Sequence, residues 1–247
     1  MIRDHFRILT VDLATGKGRI VAVDGRDTEA GGSGLAALLF NKYGHPDKPW
    51  DDPEQPLIFT IGPLTGYFPL MSKTVCGFKS PYHDQYGESH AGGRSALSLR
   101  FADLDGLVVT GKARTPSYLS IGSRHLEVKD VHYLWGVDLQ RSGKMLRKRL
   151  GGAGHRSIFR IGPAGENLVR SATIQHNIGN ASGNAGFGAV MGSKNLKAIA
   201  IRGTGGINIA EPEKFLEECM DTNDKVATGM NISLMVNSKV PQQNVVA

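Results

Sequence analysis

The sequence contains only two cysteines, Cys76 and Cys219, in 247 residues. Two thiols cannot build a disulfide framework, and alone they cannot hold a structural zinc or an iron–sulfur cluster, because such sites usually need about four protein ligands. The chain also lacks any apolar run of the roughly 18 residues that a membrane span needs. Its first residues, MIRDHFRILTVDL, have no apolar h-region and do not resemble a signal or transit peptide. These absences predict a cytoplasmic protein with no membrane span.

Charge is not strongly one-sided, since 29 Lys and Arg stand against 23 Asp and Glu, a formal net charge of +6. The basic residues are spread along the chain, so a nucleic-acid interface is not favoured. Hydrophobic residues make up 40% and charged residues 21%, which fits a folded chain of one or two domains. Glycine is in excess, with 32 residues and no Gly-X-Y period, which indicates turns or close backbone approach to a ligand.

Short apolar runs between turn residues dominate the chain and predict more strands than helices. Strands are predicted at 7–13, 19–23, 57–61, 73–79, 107–111, 117–121, 125–129, 157–161, 167–175 and 196–203. Helices are predicted at 34–43 with Ser33 as N-cap, at 94–102, at 138–150 and at about 187–194, with an irregular loop at 80–93. Because strict strand–helix alternation is missing, the pattern favours an α+β fold over a doubly wound α/β fold.

One pattern of elements occurs twice. Around 92–111 a glycine pair, a short helix, Leu104 and an apolar strand follow one another, and around 185–203 a glycine loop, a short helix, Leu196 and an apolar strand do the same. The strand and its leucine align at one offset. The repetition predicts two similar units related by a pseudo-twofold axis, with two similar ligand sites. Coincidence is the alternative, because loop–helix–strand units are common.

The glycine-rich run at 179–188, GNASGNAGFG, precedes a predicted helix and is typical of a loop that binds an anion through backbone N–H groups. It lacks the G-x-G-x-x-G spacing of a dinucleotide-binding fold, and Gly192-Ser193-Lys194 lacks the upstream glycine of a P-loop. A turn that serves only tight packing is the alternative interpretation of this segment.

Other polar groups give weaker indications. Two histidines share a segment with two carboxylates and could form a metal or acid–base cluster, although a solvated polar loop is favoured: His83, Asp84, Glu88 and His90. Four basic residues fit the solvated face and last turn of a helix: Lys144, Arg147, Lys148 and Arg149. No motif supports nucleophilic catalysis, and no residue is predicted to be catalytic.

Six stretches together resemble one family. They are IGPLTG at 61–66, FKSP at 78–81, AGG followed by LRFADLDGLVVTGKA at 91–113, HYLWG at 132–136, IGPAGENLVRSATI at 161–174 and GAVMGSKNLKAIAIRGTG at 188–205. In order and spacing they resemble the N-terminal domain of the aldehyde:ferredoxin oxidoreductases, the tungsten bis-pterin enzymes. The resemblance covers roughly residues 5–210.

The resemblance implies a saddle-like N-terminal domain of two β-sheets with pseudo-twofold symmetry, predicted at 1–209, and the start of a truncated helical second domain at 210–247. It implies a tungsten or molybdenum bis-pterin cofactor and a magnesium ion that bridges the pterin phosphates through backbone carbonyls. The implied reaction is oxidation of an aldehyde to a carboxylate, with the electrons passing to ferredoxin. The choice of metal and of substrate stays open.

The same resemblance carries site roles to individual positions. The implied cofactor-binding residues are Gly92, Gly183, Lys73, Asn180 and Asn184, and the implied magnesium carbonyls are those of His90, where the family usually has Asn, and Ala181. Family members carry arginines at the positions of Ser33, Lys73, Asn180 and Asn184. Arginine gives phosphate a bidentate charged contact, and each such contact contributes about 1.5–3 kcal/mol, so these replacements predict weaker cofactor binding.

Neither cysteine lies in a C-x-x-C pair, so the resemblance implies that the family's [4Fe–4S] ligands are not in this chain. The first interpretation is the cofactor-seating part of an oxidoreductase, incomplete alone. It would need a cluster-bearing helical subunit as partner, with ferredoxin acting indirectly. The alternative is a chain that has lost cofactor binding, either a non-catalytic scaffold or pairing subunit beside a full-length paralogue, or a gene fragment.

Overall fold

The computed structural model describes residues 3–151, 155–177, 179–183 and 185–237, and it confirms the α+β prediction. The first half of the chain opens with the predicted hairpin and ends on a buried strand. Its elements, in order, are β1 (Phe6–Asp12), β2 (Lys17–Val23), α1 (Arg26–Glu29), α2 (Gly32–Tyr43), β3 (Leu57–Ile61), β4 (Thr74–Lys79), β5 (Tyr86–Ala91), α3 (Ser95–Phe101) and β6 (Gly106–Thr110).

The second half repeats the order strand, strand, helix, three strands, helix and strand, with one short helix added at a different place. Its elements are β7 (Ser117–Gly122), β8 (His125–Asp130), α4 (Leu139–Arg149), β9 (His155–Arg160), α5 (Pro163–Glu166), β10 (Ile174–His176), β11 (Asn180–Ser182), α6 (Phe187–Ser193) and β12 (Leu196–Gly203). A longer helix, α7 (Pro212–Asn237), follows both halves.

Each half forms its own mixed six-stranded sheet, and the two strand orders correspond one to one. The first sheet runs β2-β1-β6-β3-β4-β5 and the second β8-β7-β12-β9-β10-β11. In both sheets only the second and third strands of this order are parallel. Phe59 of β3 pairs with Leu107 of β6, and Phe159 of β9 pairs with Ile199 of β12. The repeated pattern seen in the sequence is therefore part of a pseudo-twofold repeat of the whole domain.

The core lies between the two sheets and is centred on aromatic residues from both. The ring of Phe59 lies 4.9 Å from that of Phe159 and 5.4 Å from that of Phe187, and Phe187 stacks on Phe78 at 4.6 Å. Helix α3 packs on β9 and β12 of the opposite sheet, and α6 contacts β4. The outer face of the first sheet is covered by α2, and the buried Leu146 of α4 packs on the outer face of the second.

Helix α4 shows how local sequence sets an element. The carboxylate of Asp138 accepts hydrogen bonds from the backbone N–H groups of Gln140 and Arg141, both at 2.9 Å, and so caps the helix. Leu146 is fully buried, whereas the basic residues around it are exposed. This agrees with the predicted basic amphipathic helix.

Three local predictions were wrong. Residues 167–175 were expected to form one strand, but in this segment pairing begins only at Ile174, because the residues before it form turns that follow the short helix α5. The loop expected at 80–93 contains β5, whose polar residues are ordered by pairing with β4. Helix α2 begins at Gly32, so Ser33 lies inside its first turn and is not the N-cap.

Helix α7 leaves large apolar side chains in solvent. Leu216 and Met220 are each 59% exposed, while Phe215 meets Phe68 in an edge contact at 6.3 Å. The predicted boundary between the two domains, at 209 and 210, falls just before this helix. No helix of the described ranges combines the length and the apolar composition needed to cross a bilayer.

Candidate functional site

Two glycine-containing loops leave the two sheets at equivalent points. Gly92 follows the last residue of β5, Ala91, which pairs with Thr74 of β4. Gly183 follows the last residue of β11, Ser182, which pairs with Ile174 of β10. The register thus makes Gly92 and Gly183 counterparts under the repeat, and it does the same for His90 and Ala181.

The edge strands β5 and β11 pass each other where the two sheets meet. A Cβ added at Gly87 would lie 3.4 Å from the Cβ of Ala185, and the backbone carbonyl of Ala185 accepts a hydrogen bond of 2.9 Å from Ser80. At the other end of β5, a side chain at Gly93 would collide with the amide of Asn180. Each edge strand pairs on only one side in its sheet, so backbone groups of both strands stay available here.

The loops present open backbone. Apart from the adjacent residues in the chain, no atom of the described residues lies within 4 Å of a Cβ position at Gly92 or at Gly179, and a Cβ at Gly183 would contact the side chain of Thr173 at 3.2 Å. Glycine at such positions lets a ligand approach the main chain closely. The two loops therefore form an open cradle along the line where the sheets meet.

Positive charge at the first loop comes from Lys73 and Arg94. Lys73 precedes the strand residue that pairs with Ala91, which sets it beside Gly92, and Arg94 follows the glycine pair directly. Both side chains are exposed, and neither makes an ion pair within the described ranges. Arg94 was not among the residues predicted from the sequence, although a cation directly after a glycine pair is a recognisable signal for anion binding.

A carboxylate offsets part of this charge. Glu88 accepts hydrogen bonds from the hydroxyls of Ser33 at 2.7 Å and Tyr86 at 2.6 Å, and the Nε2 of His90 lies 3.1 Å away. Partial burial would raise the pKa of Glu88, but the hydrogen bonds from Tyr86, Ser33 and His90 outweigh it and hold the pKa below its usual value. Glu88 therefore stays anionic beside the first loop.

The structure brings Glu88 and His90 together, but it does not assemble the wider cluster suggested by the sequence. His83 and Asp84 lie in the exposed turn between β4 and β5. Within the described ranges no group of three metal-binding side chains comes together. Cys76 is fully buried on β4, which raises its pKa to about 12 and keeps the thiol protonated.

The second loop is polar and carries less charge. Asn180, Ala181 and Gly183 are exposed, whereas Asn184 lies outside the described residues. Nearby, His176 is completely buried, and its Nε2 has no hydrogen-bond partner in the described part of the chain. Burial and the neighbouring charge of Arg160 lower the pKa of His176 to about 4, so its imidazole is neutral at physiological pH.

Most of the predicted site residues therefore lie around one feature. Ser33, Lys73, His90 and Gly92 surround the first loop, and Asn180, Ala181 and Gly183 form the second. Both loops offer main-chain groups to a ligand, whereas the cations lie mainly at the first loop. Such a surface suits an extended ligand with two anionic ends.

Comparison with known proteins gives consistent matches. The family described as "Aldehyde ferredoxin oxidoreductase, N-terminal domain" matches residues 8–203. A tungsten-containing aldehyde ferredoxin oxidoreductase of Pyrococcus furiosus is 37% identical over 231 residues, covering 90% of this chain and 38% of the relative. The WOR-like subunit of an aliphatic sulfonate oxidoreductase from the same organism is 34% identical over 233 residues, covering 87% of this chain and 36% of the relative.

A solved structure has the same fold. The active site complex BamBC of benzoyl coenzyme A reductase, in complex with 1,5-dienoyl-CoA, superimposes with a TM-score of 0.80 at 30% sequence identity. The match covers 98% of this chain and 37% of that chain. This chain thus spans less than two fifths of the length of each of these relatives.

Proposed function

The chain belongs to the aldehyde ferredoxin oxidoreductase family, as its N-terminal domain, and on that premise we propose that it seats a tungsten or molybdenum bis-pterin cofactor. One observation carries the proposal. The two glycine loops are counterparts in a pseudo-twofold repeat and meet along one line, as a ligand with two similar halves requires.

The open main chain at the glycines suits such a cofactor, and the positive charge of the neighbouring side chains matches part of the negative charge of its phosphates. Gly92 and Gly183 would let the pterin phosphates approach the main chain, with Lys73 as the cation beside the first and the Asn180 amide beside the second. Asn184 would complete the second loop. Arg94 adds a cation that compensates in part for the arginines the family carries elsewhere.

Magnesium would be held by the backbone carbonyls of His90 and Ala181. The repeat makes these two positions counterparts, and both lie on edge strands that are paired on one side only. Because the contact is through the main chain, histidine in place of the usual asparagine at position 90 does not remove the ligand atom.

When bound, the cofactor would supply two-electron redox chemistry. In the family's reaction an aldehyde and a water molecule give a carboxylate, three protons and two electrons, which pass to ferredoxin. In this chain, the loop residues would bind and orient the two pterin halves, and the neutral His176 beneath Gly93 would keep that area free of additional charge.

Turnover would require the helical domains that carry the family's cluster ligands and substrate pocket, whether on the same polypeptide or on a partner subunit. The apolar side chains of Leu216 and Met220 on α7 are exposed and support a helical neighbour at this place. The match to a protein described as a subunit supports a multi-subunit arrangement.

Anaerobic purification of the chain from its native source, followed by elemental mass spectrometry and pterin fluorescence, tests the proposal. We expect tungsten or molybdenum, magnesium and pterin to copurify with it. A Gly92→Val variant should fold normally, since no atom of the described residues beyond its chain neighbours lies within 4 Å of the added Cβ, and it should lose the cofactor. Gly206→Val is the matched control, because its Cβ also enters open space away from the loops.

A non-catalytic scaffold or pairing subunit is the second candidate. The anionic Glu88 favours it, because this carboxylate is held where an additional cation would help to bind a phosphate. A folded, partner-bound chain without metal or pterin would establish the scaffold and refute the cofactor proposal.

A further inference from the structure

A cleft of about 290 Å³ lies on the outer face of the second sheet, between α4 and the strands β9 and β10. It is lined by three cations, three amides, one glycine and one apolar residue: Lys144, Arg147, Arg160, Gln140, Gln175, Asn177, Gly143 and Ile158. No carboxylate is among these lining residues. The cleft lies on the side of the second sheet opposite the hydrophobic core that the two sheets enclose.

Arg160 is the buried member of this set, with 5% of its surface exposed. Its Nε donates to the carbonyl of Leu139 at 2.7 Å, and its Nη2 donates to the Oε1 of Gln175 at 3.2 Å. Within the described ranges Arg160 makes no ion pair, and no carboxylate lines the cleft to balance its charge. Burial and the nearby Arg147 lower its pKa, because the charged form is disfavoured there. A buried charge without a counter-ion is costly unless an anion binds beside it.

Helix α4 is adapted to this guanidinium. A Cβ at Gly143 would lie 2.8 Å from the Nε and 2.9 Å from the Cζ of Arg160. Glycine inside a helix weakens it, and here it provides the room that the guanidinium occupies. The next cations, Lys144 and Arg147, are exposed, and neither makes an ion pair in the described part of the chain.

The first half of the chain shows that the fold does not require such a cleft. In the counterpart region between α2 and the strands β3 and β4, the ring of Tyr86 from β5 packs 4.9 Å from that of Phe40 and lies against Gly77. The counterpart of Arg160 in the strand register is Thr60, which donates to the carbonyl of Gly32 at 2.8 Å. Among the described residues, the counterpart position in the first half therefore holds an aromatic ring and a neutral hydroxyl where the second half has the charged cleft.

We propose that this cleft binds a small phosphate-bearing anion. A guanidinium with N–H groups left over, together with two further cations, matches the geometry and the double charge of a phosphate group. The amides of Gln140 and Asn177 can orient the rest of the ligand. The volume is at the lower end of small-molecule pockets, which favours a small metabolite over a macromolecule. The cleft lies on the opposite face of the second sheet from the inter-sheet core, and the proposal that it binds an anion does not depend on the proposed cofactor.

Calorimetric titration of the full chain with inorganic phosphate, pyrophosphate and succinate tests this. We expect saturable binding of pyrophosphate and phosphate that is tighter than that of the dicarboxylate. The double variant Lys144→Gln/Arg147→Gln should weaken pyrophosphate binding at least about tenfold, because two charge-assisted contacts are lost. The double variant Arg141→Gln/Lys148→Gln removes the same charge from α4 outside the cleft and should change binding less than about twofold.

Absence of saturable binding to the unmodified chain would overturn the proposal. So would an equal loss in both double variants, since that result indicates nonspecific attraction to a basic helix. Succinate binding tighter than pyrophosphate would refute the phosphate assignment. Circular dichroism of each variant confirms that the fold is kept, and both pairs change only exposed side chains.

Discussion

Replacing Glu166 by glutamine should leave an uncompensated charge in the interior. Glu166 and Lys197 form an ion pair whose side chains are 2% and 0% exposed. Lys197 also donates to the carbonyl of Val137 at 2.9 Å, and Glu166 accepts from the backbone N–H of Gly136 at 2.7 Å. Glutamine keeps the size of the side chain and an acceptor for Gly136. The substitution therefore removes mainly the negative charge.

Breaking a buried pair by removing one partner costs about 3–5 kcal/mol of unfolding free energy. Burial already lowers the pKa of Lys197, and the hydrogen bond and charge of Glu166 act against that shift. Without the carboxylate the pKa of Lys197 falls further below its ordinary value. Between that lowered pKa and the unfolded value of about 10.4 the folded variant binds fewer protons than the unfolded chain, so its stability rises with pH in that range.

Urea unfolding of the native chain, Glu166→Gln and Lys197→Met/Glu166→Leu measures these terms. At neutral pH we expect Glu166→Gln to lose about 3–5 kcal/mol, with part of the loss recovered at higher pH. The apolar double variant should lie within about 2 kcal/mol of the native chain, because it carries no unpaired charge. A loss of less than about 1 kcal/mol in Glu166→Gln, without any pH dependence, would refute the reasoning.

Three further predictions follow from packing, capping and burial. Gly192→Ala should destabilise the chain by about 2 kcal/mol or more in urea unfolding, because the new Cβ would collide with the carbonyl of Gly165; a neutral result would contradict the close helix contact. Asp138→Ala should speed hydrogen exchange at the start of α4, since it removes the cap, whereas unchanged exchange would show that the cap is dispensable. Iodoacetamide at pH 8 should modify Cys219 but leave Cys76 unmodified in the native state, as peptide mass spectrometry would show; alkylation of Cys76 would disprove its burial.

Much of the fold follows from local sequence. The hairpin of β1 and β2, the buried strand β12 and the amphipathic helix α4 were predicted close to their observed bounds. Each has a strong local signal, such as alternating apolar residues around a glycine turn or a run of residues with helical spacing that ends at a glycine pair. The repeated pattern around Leu104 and Leu196 was also confirmed, because the same offset aligns β6 with β12 in the two sheets.

Elements stabilised by their partners were harder to predict. The strand β5 reads as a polar loop, YGESHA, and becomes a strand only because β4 supplies hydrogen bonds along its length. The segment 167–175 has apolar residues typical of a strand, yet Leu168 and Val169 are exposed in a turn after α5. In both cases tertiary pairing overrides local propensity.

The sequence by itself determined the family, the α+β class and the glycines of both loops, because these depend on residue order and on backbone freedom at single positions. Only the tertiary structure decided how the two loops face each other across β5 and β11, and that Ser33 binds Glu88, a residue 55 positions away. It alone revealed that Arg160 is a buried cation beneath α4. Burial and charge pairing depend on neighbours distant in sequence, and the energy of a charge depends on those neighbours.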